Sequence, residues 1–173
     1  NDDNRAAGRS GLGAVMGSKN LKAIAVRGSV GKDVADADKI KELRGWVAKE
    51  GKPMWEGFQN YGTDGGLMNL NAGSGLPTRN FKEGQFEEAE KVSGQTMADT
   101  ILVGKPTCYA CVIRCKREVE IPEGKYKTDK KYGGPEYETV GSIGTNCGIG
   151  DLAAIAKGNS ICNSAGLDTI GAG

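Results

Sequence analysis

The stretch "CYACVIRC" places Cys108, Cys111 and Cys115 in a C-x2-C-x3-C array. No other feature constrains the chain as much. Thiolates two and three residues apart on a tight turn can converge on one centre, and zinc knuckles and iron–sulfur clusters both use this geometry. Zinc sites usually pair C-x2-C with a second, distant pair. A compact triplet with one remote ligand is closer to the iron–sulfur pattern. Within the sequence, Cys147 and Cys162 are the thiols that could supply a fourth ligand. The plain alternative is that some of the triplet are small buried hydrophobes. Five cysteines is an odd number, and "NDDNRAAGRS" has no apolar segment of the secretory kind. Metal binding is therefore the better reading than a disulfide framework, and a reducing cytoplasm is the expected compartment. A polar start without Met points to a fragment or a processed chain.

Other function classes fall away on composition. The chain has no histidine, which removes His-dependent triads, His-ligated zinc and His-ligated haem. Net charge is +1, so neither nucleic acid nor an anionic membrane has an electrostatic case. No window approaches the roughly 18 apolar residues of a membrane-spanning helix. Glycine is abundant, at 28 of 173 residues, roughly twice the usual share. Such a chain makes many tight turns and a modest core, either as a cofactor-wrapping segment or as an ordinary loop-rich domain.

Local patterns predict a mainly helical chain. "LKAIAVRG" is a short apolar run, read as a buried strand over 21–26. "DADKIKELRGWVAKEGK" puts Ile40, Leu43, Trp46 and Val47 at helical spacing, capped by Asp36 or Asp38 and closed by Gly51 and Pro53. Residues 57–80 read as loop with one short helix at most. A short helix is predicted after Ser93. "PEGKYKTDKKYGGP" reads as a surface excursion. Tyr137, Val140 and Ile143 share a helical face. Asp151 caps a final helix with Leu152, Ile155, Ala156 and Cys162 inward and Gly166 at its C′ position.

Three further stretches carry possible chemistry. "GRSGLGAVMGSKN" has Gly11, Gly13 and Gly17 but lacks the order of a Walker loop and the strand of a dinucleotide fold. Arg5 and Arg9 flank small residues there, a composition suited to phosphate contacts or simply to a Gly-rich turn. "GGPEYETVG" sets Glu136 and Glu138 at the entry to an apolar element. They are either general acid–base carboxylates or first-turn residues that favour the helix dipole. "NSAGLDT" reads as a helix end followed by Asp168 in a turn.

In this order, "AAGRSGLGAVMGSKNLKAIAVRG", "LPTRNF", "CYACVIRC" and "GGPEYETVGSIGTNCGIGDLAAIAKGNSICNSAGLDTI" closely resemble the aldehyde ferredoxin oxidoreductase family of tungsten enzymes, over nearly the whole chain. The resemblance implies a tungsten ion held by two pterin dithiolenes (a tungsten-bis-pterin, or tungstopterin), a nearby [4Fe–4S] cluster, and oxidation of aldehydes to carboxylic acids with electrons passed to ferredoxin or another electron-carrier protein. Residues 1–30 would end the N-terminal tungstopterin-supporting domain. Residues 31–173 would form most of a helical second domain, mainly α with a short β segment, within an α+β full-length protein. Cys108, Cys111 and Cys115 match three cluster ligands. The fourth would lie in a D-x-x-G-L-C motif of a third domain that this sequence lacks. Cys147 and Cys162 then become structural. Arg5, Ala6, Gly8 and Arg9 match the pterin-contacting stretch. Asn163, Leu167 and Asp168 match a D-x-x-G-L-D pterin motif whose leading Asp is here Asn163, which cannot offer a carboxylate. Glu138 matches the proton-transferring carboxylate near the metal, with Glu136 as the fallback.

The resemblance further implies that the missing C-terminal domain completes the site, that a homo-oligomer is compatible with it, and that the fragment alone is inactive. The three thiols should lie near one another without a complete cluster. The alternatives are the active-site subunit of a related complex, such as a benzoyl-CoA reductase, or a small structural zinc module.

Overall fold

A computed structural model describes residues 9–31 and 33–173. Among these the chain is mainly helical, as the sequence predicts. Its one small sheet is an antiparallel pair, β1 (Leu102–Gly104) and β2 (Glu118–Val119). The predicted strand over 21–26 does not form. Those residues have no regular hydrogen bonding and lie exposed, with Ile24 at 74% and Val26 at 88%. A strand needs an edge to pair with, and no described segment offers one to this run.

Helix α1 (Leu12–Ser18) is followed by α2 (Ala37–Lys49). Asp36 caps α2 by accepting from Lys39 N at 2.8 Å. Its apolar residues Ile40, Leu43 and Trp46 remain exposed. The helix ends at Lys49, just before Gly51, as the sequence predicts, but the chain turns helical again at once. Pro53 sits in the first turn of a new helix, α3 (Lys52–Tyr61), where its missing N–H costs nothing. The stretch read as mostly loop is therefore more helical than predicted: α3 leads through a 3-10 turn, Thr63–Gly66, into α4 (Leu67–Ala72). Glycine and asparagine weaken helix propensity locally, but fully buried Leu67 docks α4 into the core and decides the matter.

Ser93 caps α5 (Gly94–Thr100), accepting from Thr96 N at 3.2 Å. A Cβ on Gly94 would lie 2.5 Å from Tyr61 O and 2.8 Å from Asp64 C, so only glycine lets α5 start against the 3-10 turn. After α5 the chain enters β1, makes a loop over 105–117, and returns in β2. The cysteine array lies in that loop. The predicted surface excursion is exposed over 122–125, then turns back through an Ile121–Thr128 bridge and buried Thr128. In the "LPTRNF" segment, Arg79, Asn80 and Phe81 all have positive φ (48°, 59° and 58°). Arg79 N and Asn80 N donate to Thr145 O and Asn146 O, which holds this costly turn in place.

The core is built by α4, the segment 76–92 with Leu76, Phe86, Ala89 and Val92, α5, β2 and the last third of the chain. Helix α6 (Tyr137–Thr139) runs into a π-helical turn, Val140–Gly144, and a 3-10 turn, Thr145–Cys147. Val140 is fully buried and Tyr137 packs partly against the core. Helix α7 (Leu152–Ala165) follows the sequence reading closely. Asp151 Oδ1 accepts from Ala153 N (3.0 Å) and Ala154 N (3.2 Å), the inner stripe Leu152, Ile155, Ala156 and Cys162 is buried, and Gly166 closes it at φ 70°. A short α8 (Thr169–Ala172) ends the chain. No helix among the described residues is long and apolar enough to cross a membrane.

Candidate metal centre and its acids

The cysteine loop is shaped by side chains bonding to its backbone. Cys111 N donates to Cys108 O at 3.0 Å, with Ala110 between them at φ 54°. Thr107 Oγ1 donates to Cys111 O at 2.7 Å. Gln59 Nε2, from α3, donates to Val112 O at 3.0 Å, and Arg114 Nη2 donates to Lys105 O at 3.2 Å. Cys108 is exposed, while Cys111 and Cys115 are half-buried. Burial pushes the Cys115 thiol up, and the charge of Glu136 adds to this, with a smaller contribution from Cys111.

The three thiols share one loop but do not meet at one point. Among the described residues no three Cys, Asp or Glu side chains lie close enough to hold a metal ion. Free thiols do not attract one another, and in metal sites the ion itself draws its ligands together. The donor set still suits an iron–sulfur cluster: three sulfurs on a partly exposed turn and no hard-oxygen cage. Of the other two thiols, Cys162 is buried on α7 and Cys147 is exposed, its Sγ 3.4 Å from Ser142 O.

Beneath the loop lies Arg117, only 2% exposed. Its guanidinium donates to six carbonyls. Nη1 reaches Asn60 O (2.8 Å), and Nη2 reaches Gln59 O (3.0 Å), Phe58 O (3.3 Å) and Arg114 O (3.0 Å). Nε reaches Lys116 O (2.9 Å) and Cys115 O (3.3 Å). Three of these carbonyls belong to the last turn of α3, and three to the cysteine loop. Gly62, at φ 69°, packs on this side chain, and a Cβ there would sit 3.1 Å from Arg117 Cδ.

A group of acids adjoins the loop. Glu136 Oε2 accepts from Thr63 Oγ1 at 2.6 Å, and Glu136 Oε1 lies 3.4 Å from Lys116 Nζ. Tyr137 N donates to the same Thr63 oxygen at 3.0 Å, so the 3-10 turn is bonded to the start of α6. Glu138, the predicted proton carrier, is exposed one residue further on. Asp64 is 1% exposed, and neither of its carboxyl oxygens has a partner among the described residues. Burial, reinforced by the charge of Glu136, pushes it up to about 8, so it carries a proton at neutral pH. Burial also raises the Tyr137 phenol, with further contributions from Glu138 and Asp64. Sequence reasoning passed over Thr63, Asp64, Lys116 and Arg117. "YGTDGG" looks like a turn and "CKREV" like a polar stretch, and no spacing in either marks a buried charge.

The predicted pterin contacts divide in two. Arg5, Ala6 and Gly8 lie outside the described residues, and Arg9 is exposed at the start of a 3-10 turn, Arg9–Gly11. Asn163, Leu167 and Asp168 cluster at the end of α7. Asn163 Nδ2 donates to Tyr132 O at 2.8 Å, Leu167 is 54% exposed, and Asp168 caps α8 by accepting from Ile170 N (3.2 Å) and Gly171 N (3.3 Å). Each Asp168 oxygen keeps lone-pair capacity for a further donor, so the carboxylate fits a pterin N–H. Asn163 already directs its amide inward.

The family model for aldehyde ferredoxin oxidoreductase, domains 2 & 3, matches residues 40–173, and that for the N-terminal domain matches residues 1–28. Tungsten-containing aldehyde ferredoxin oxidoreductases of Thermococcus kodakarensis and Pyrococcus furiosus are each 44% identical over 182 aligned residues, covering 100% of this chain. The WOR-like subunit of an aliphatic sulfonate oxidoreductase from Pyrococcus furiosus is 33% identical over 171 residues, covering 97% of the chain. The chain spans 28% of the length of the first two relatives and 27% of the third. With a family match over most of its length, this chain belongs to the aldehyde ferredoxin oxidoreductase family.

Proposed function

We propose that the chain is part of a tungsten-pterin oxidoreductase with a [4Fe–4S] cluster, which oxidises aldehydes to carboxylic acids and passes electrons to ferredoxin or another electron carrier. One observation carries the reading: in a member of this family, three cysteines occupy a loop whose backbone is held by hydrogen bonds from Thr107 and from buried Arg117, with the Glu136 carboxylate beside it. Cys108, Cys111 and Cys115 would hold three corners of the cluster, and the fourth ligand would come from the rest of the protein. Arg5, Ala6, Gly8 and Arg9, together with Asn163, Leu167 and Asp168, would hold the pterins.

When bound, the metal–dithiolene centre would supply two-electron chemistry and the cluster one-electron chemistry. The chain's own residues position and move protons. Glu138 stands in the first turn of α6 with its carboxylate exposed and would take a proton from bound substrate. Thr63 and Glu136 fix that turn against the loop through their bonds to Tyr137 and Lys116. Residues 1–30 would end the N-terminal domain and residues 31–173 would make most of the second. The isolated chain would lack catalysis, and the whole protein would work in the cytoplasm.

Metal analysis of the anaerobically purified whole protein tests the reading. Iron and tungsten are expected. Zinc with neither of them would refute it and restore the zinc-module alternative, which the family match does not favour. The weaker likeness to a WOR-like subunit keeps a second reading, an active-site subunit of a larger complex. A stoichiometric partner in the purified protein would support that reading.

A further inference from the structure

We propose that Arg117 is the positioning residue of the cysteine loop and also the fixed cation that raises the reduction potential of the cluster the loop holds. The second half rests on the reading of Cys108, Cys111 and Cys115 as cluster ligands.

A guanidinium that is 2% exposed is costly to bury, and a fold without use for it would place an apolar side chain there. What it gains is a set of carbonyls from two elements at once. Phe58, Gln59 and Asn60 form the last turn of α3, where the dipole favours a cation, and Phe58 O shares its lone pairs between Arg117 and Gly62 N, which donates to it at 2.9 Å. Arg114, Cys115 and Lys116 form the outgoing limb of the cysteine loop. Only a planar fork with five N–H donors spans both sets. A lysine offers three donors from a single point. The Gly62 backbone, at φ 69°, packs against the side chain, where a Cβ would come within 3.1 Å of its Cδ and Nε. The loop's shape is therefore set from below by Arg117 before any ligand binds.

The same placement has an electrostatic consequence. Arg117 bonds the carbonyl of Cys115 itself at 3.3 Å, and buried charge is poorly screened by salt. One-electron reduction adds a negative charge to the cluster, with no bond made or broken. A neighbouring cation stabilises that reduced form, and a guanidinium does so at every working pH because it does not deprotonate. The electron would enter from the tungsten centre and leave to the ferredoxin-type carrier.

The test uses the whole protein, purified anaerobically, as wild type, R117K and R117Q. Amide hydrogen exchange of residues 105–117 and of the last turn of α3 reads the clamp. A dithionite titration followed by the paramagnetic signal of the reduced cluster reads the charge. Both variants are expected to exchange roughly tenfold or more faster in these segments. R117Q is expected to shift the midpoint to more negative potential, while R117K, which keeps the charge, holds the wild-type midpoint. Wild-type exchange in both variants overturns the clamp. Equal potential shifts in R117K and R117Q overturn the charge effect and leave a purely structural role. If R117Q does not fold, R117K decides: unchanged exchange overturns the clamp, and a midpoint moved despite its retained charge overturns the charge effect. A wild-type protein with no iron–sulfur signal overturns the ligand reading and the charge effect together, while exchange still decides the clamp.

Discussion

Replacing Asp64 with asparagine should remove a pH dependence from the stability of the fold. Asp64 is pushed up from its ordinary value of 3.8 to about 8, because it is buried and because Glu136 stands beside it. The native state therefore holds a proton that the unfolded chain releases. With the folded value above the unfolded one, the stabilising difference is complete below about pH 4 and is lost as pH rises towards 8. The expected slope is a loss of about 1.4 kcal/mol per pH unit, which between pH 5 and 7.5 amounts to about 3 kcal/mol as an upper value. The asparagine side chain has no proton to lose. Its amide brings two N–H donors to a position where the carboxyl oxygens already lack partners, so Asp64→Asn carries a constant cost that moves the curve without tilting it. Of the titratable groups packed nearby, the Glu136 carboxylate and the neutral Tyr137 phenol face Asp64, and both remain in the variant. The measurement is urea unfolding of both forms at half-unit steps from pH 5 to 8.5. Stability of wild type minus variant should fall steadily with pH and level off near 8. Parallel curves across that range would refute the argument, since they would mean that Asp64 ionises in the native state at little cost. Glu136→Gln supplies a second check: with that neighbouring charge gone, the levelling point should move to lower pH.

Three further outcomes follow from packing and ligation. Gly94→Ala should cost about 1–3 kcal/mol, read as a drop in urea midpoint, because its Cβ would meet the backbone of Tyr61 and Asp64 rather than a movable side chain. Asp151→Ala should cost about 1 kcal/mol by removing the acceptor of two amides at the start of α7, whereas Asp151→Asn should cost less. Changing Cys108, Cys111 or Cys115 to Ser in the whole protein should lower bound iron and bleach the visible absorbance of the cluster. Cys147→Ser, on an exposed thiol outside the loop, should leave iron content unchanged.

Those assays separate features readable along the chain from features that appear only on folding. The cysteine array, the caps Asp36, Ser93 and Asp151, and the stripe on α7 were legible in sequence because each depends on residues within one or two turns of one another. Local patterns failed where partners decide. Residues 21–26 look like a strand but pair with no segment among the described residues, and the glycine-rich run after Tyr61 is helical because Leu67 docks into the core. The order of residues settles which of them could be ligands, acids and caps, since those roles depend on atoms each side chain carries. Folding settles which of them are charged and which hold the loop. Asp64 lies 72 residues from Glu136 in sequence, and Arg117 lies 57 from Asn60. Burial and long-range hydrogen bonding are properties of the space between segments, and no spacing along the chain encodes them.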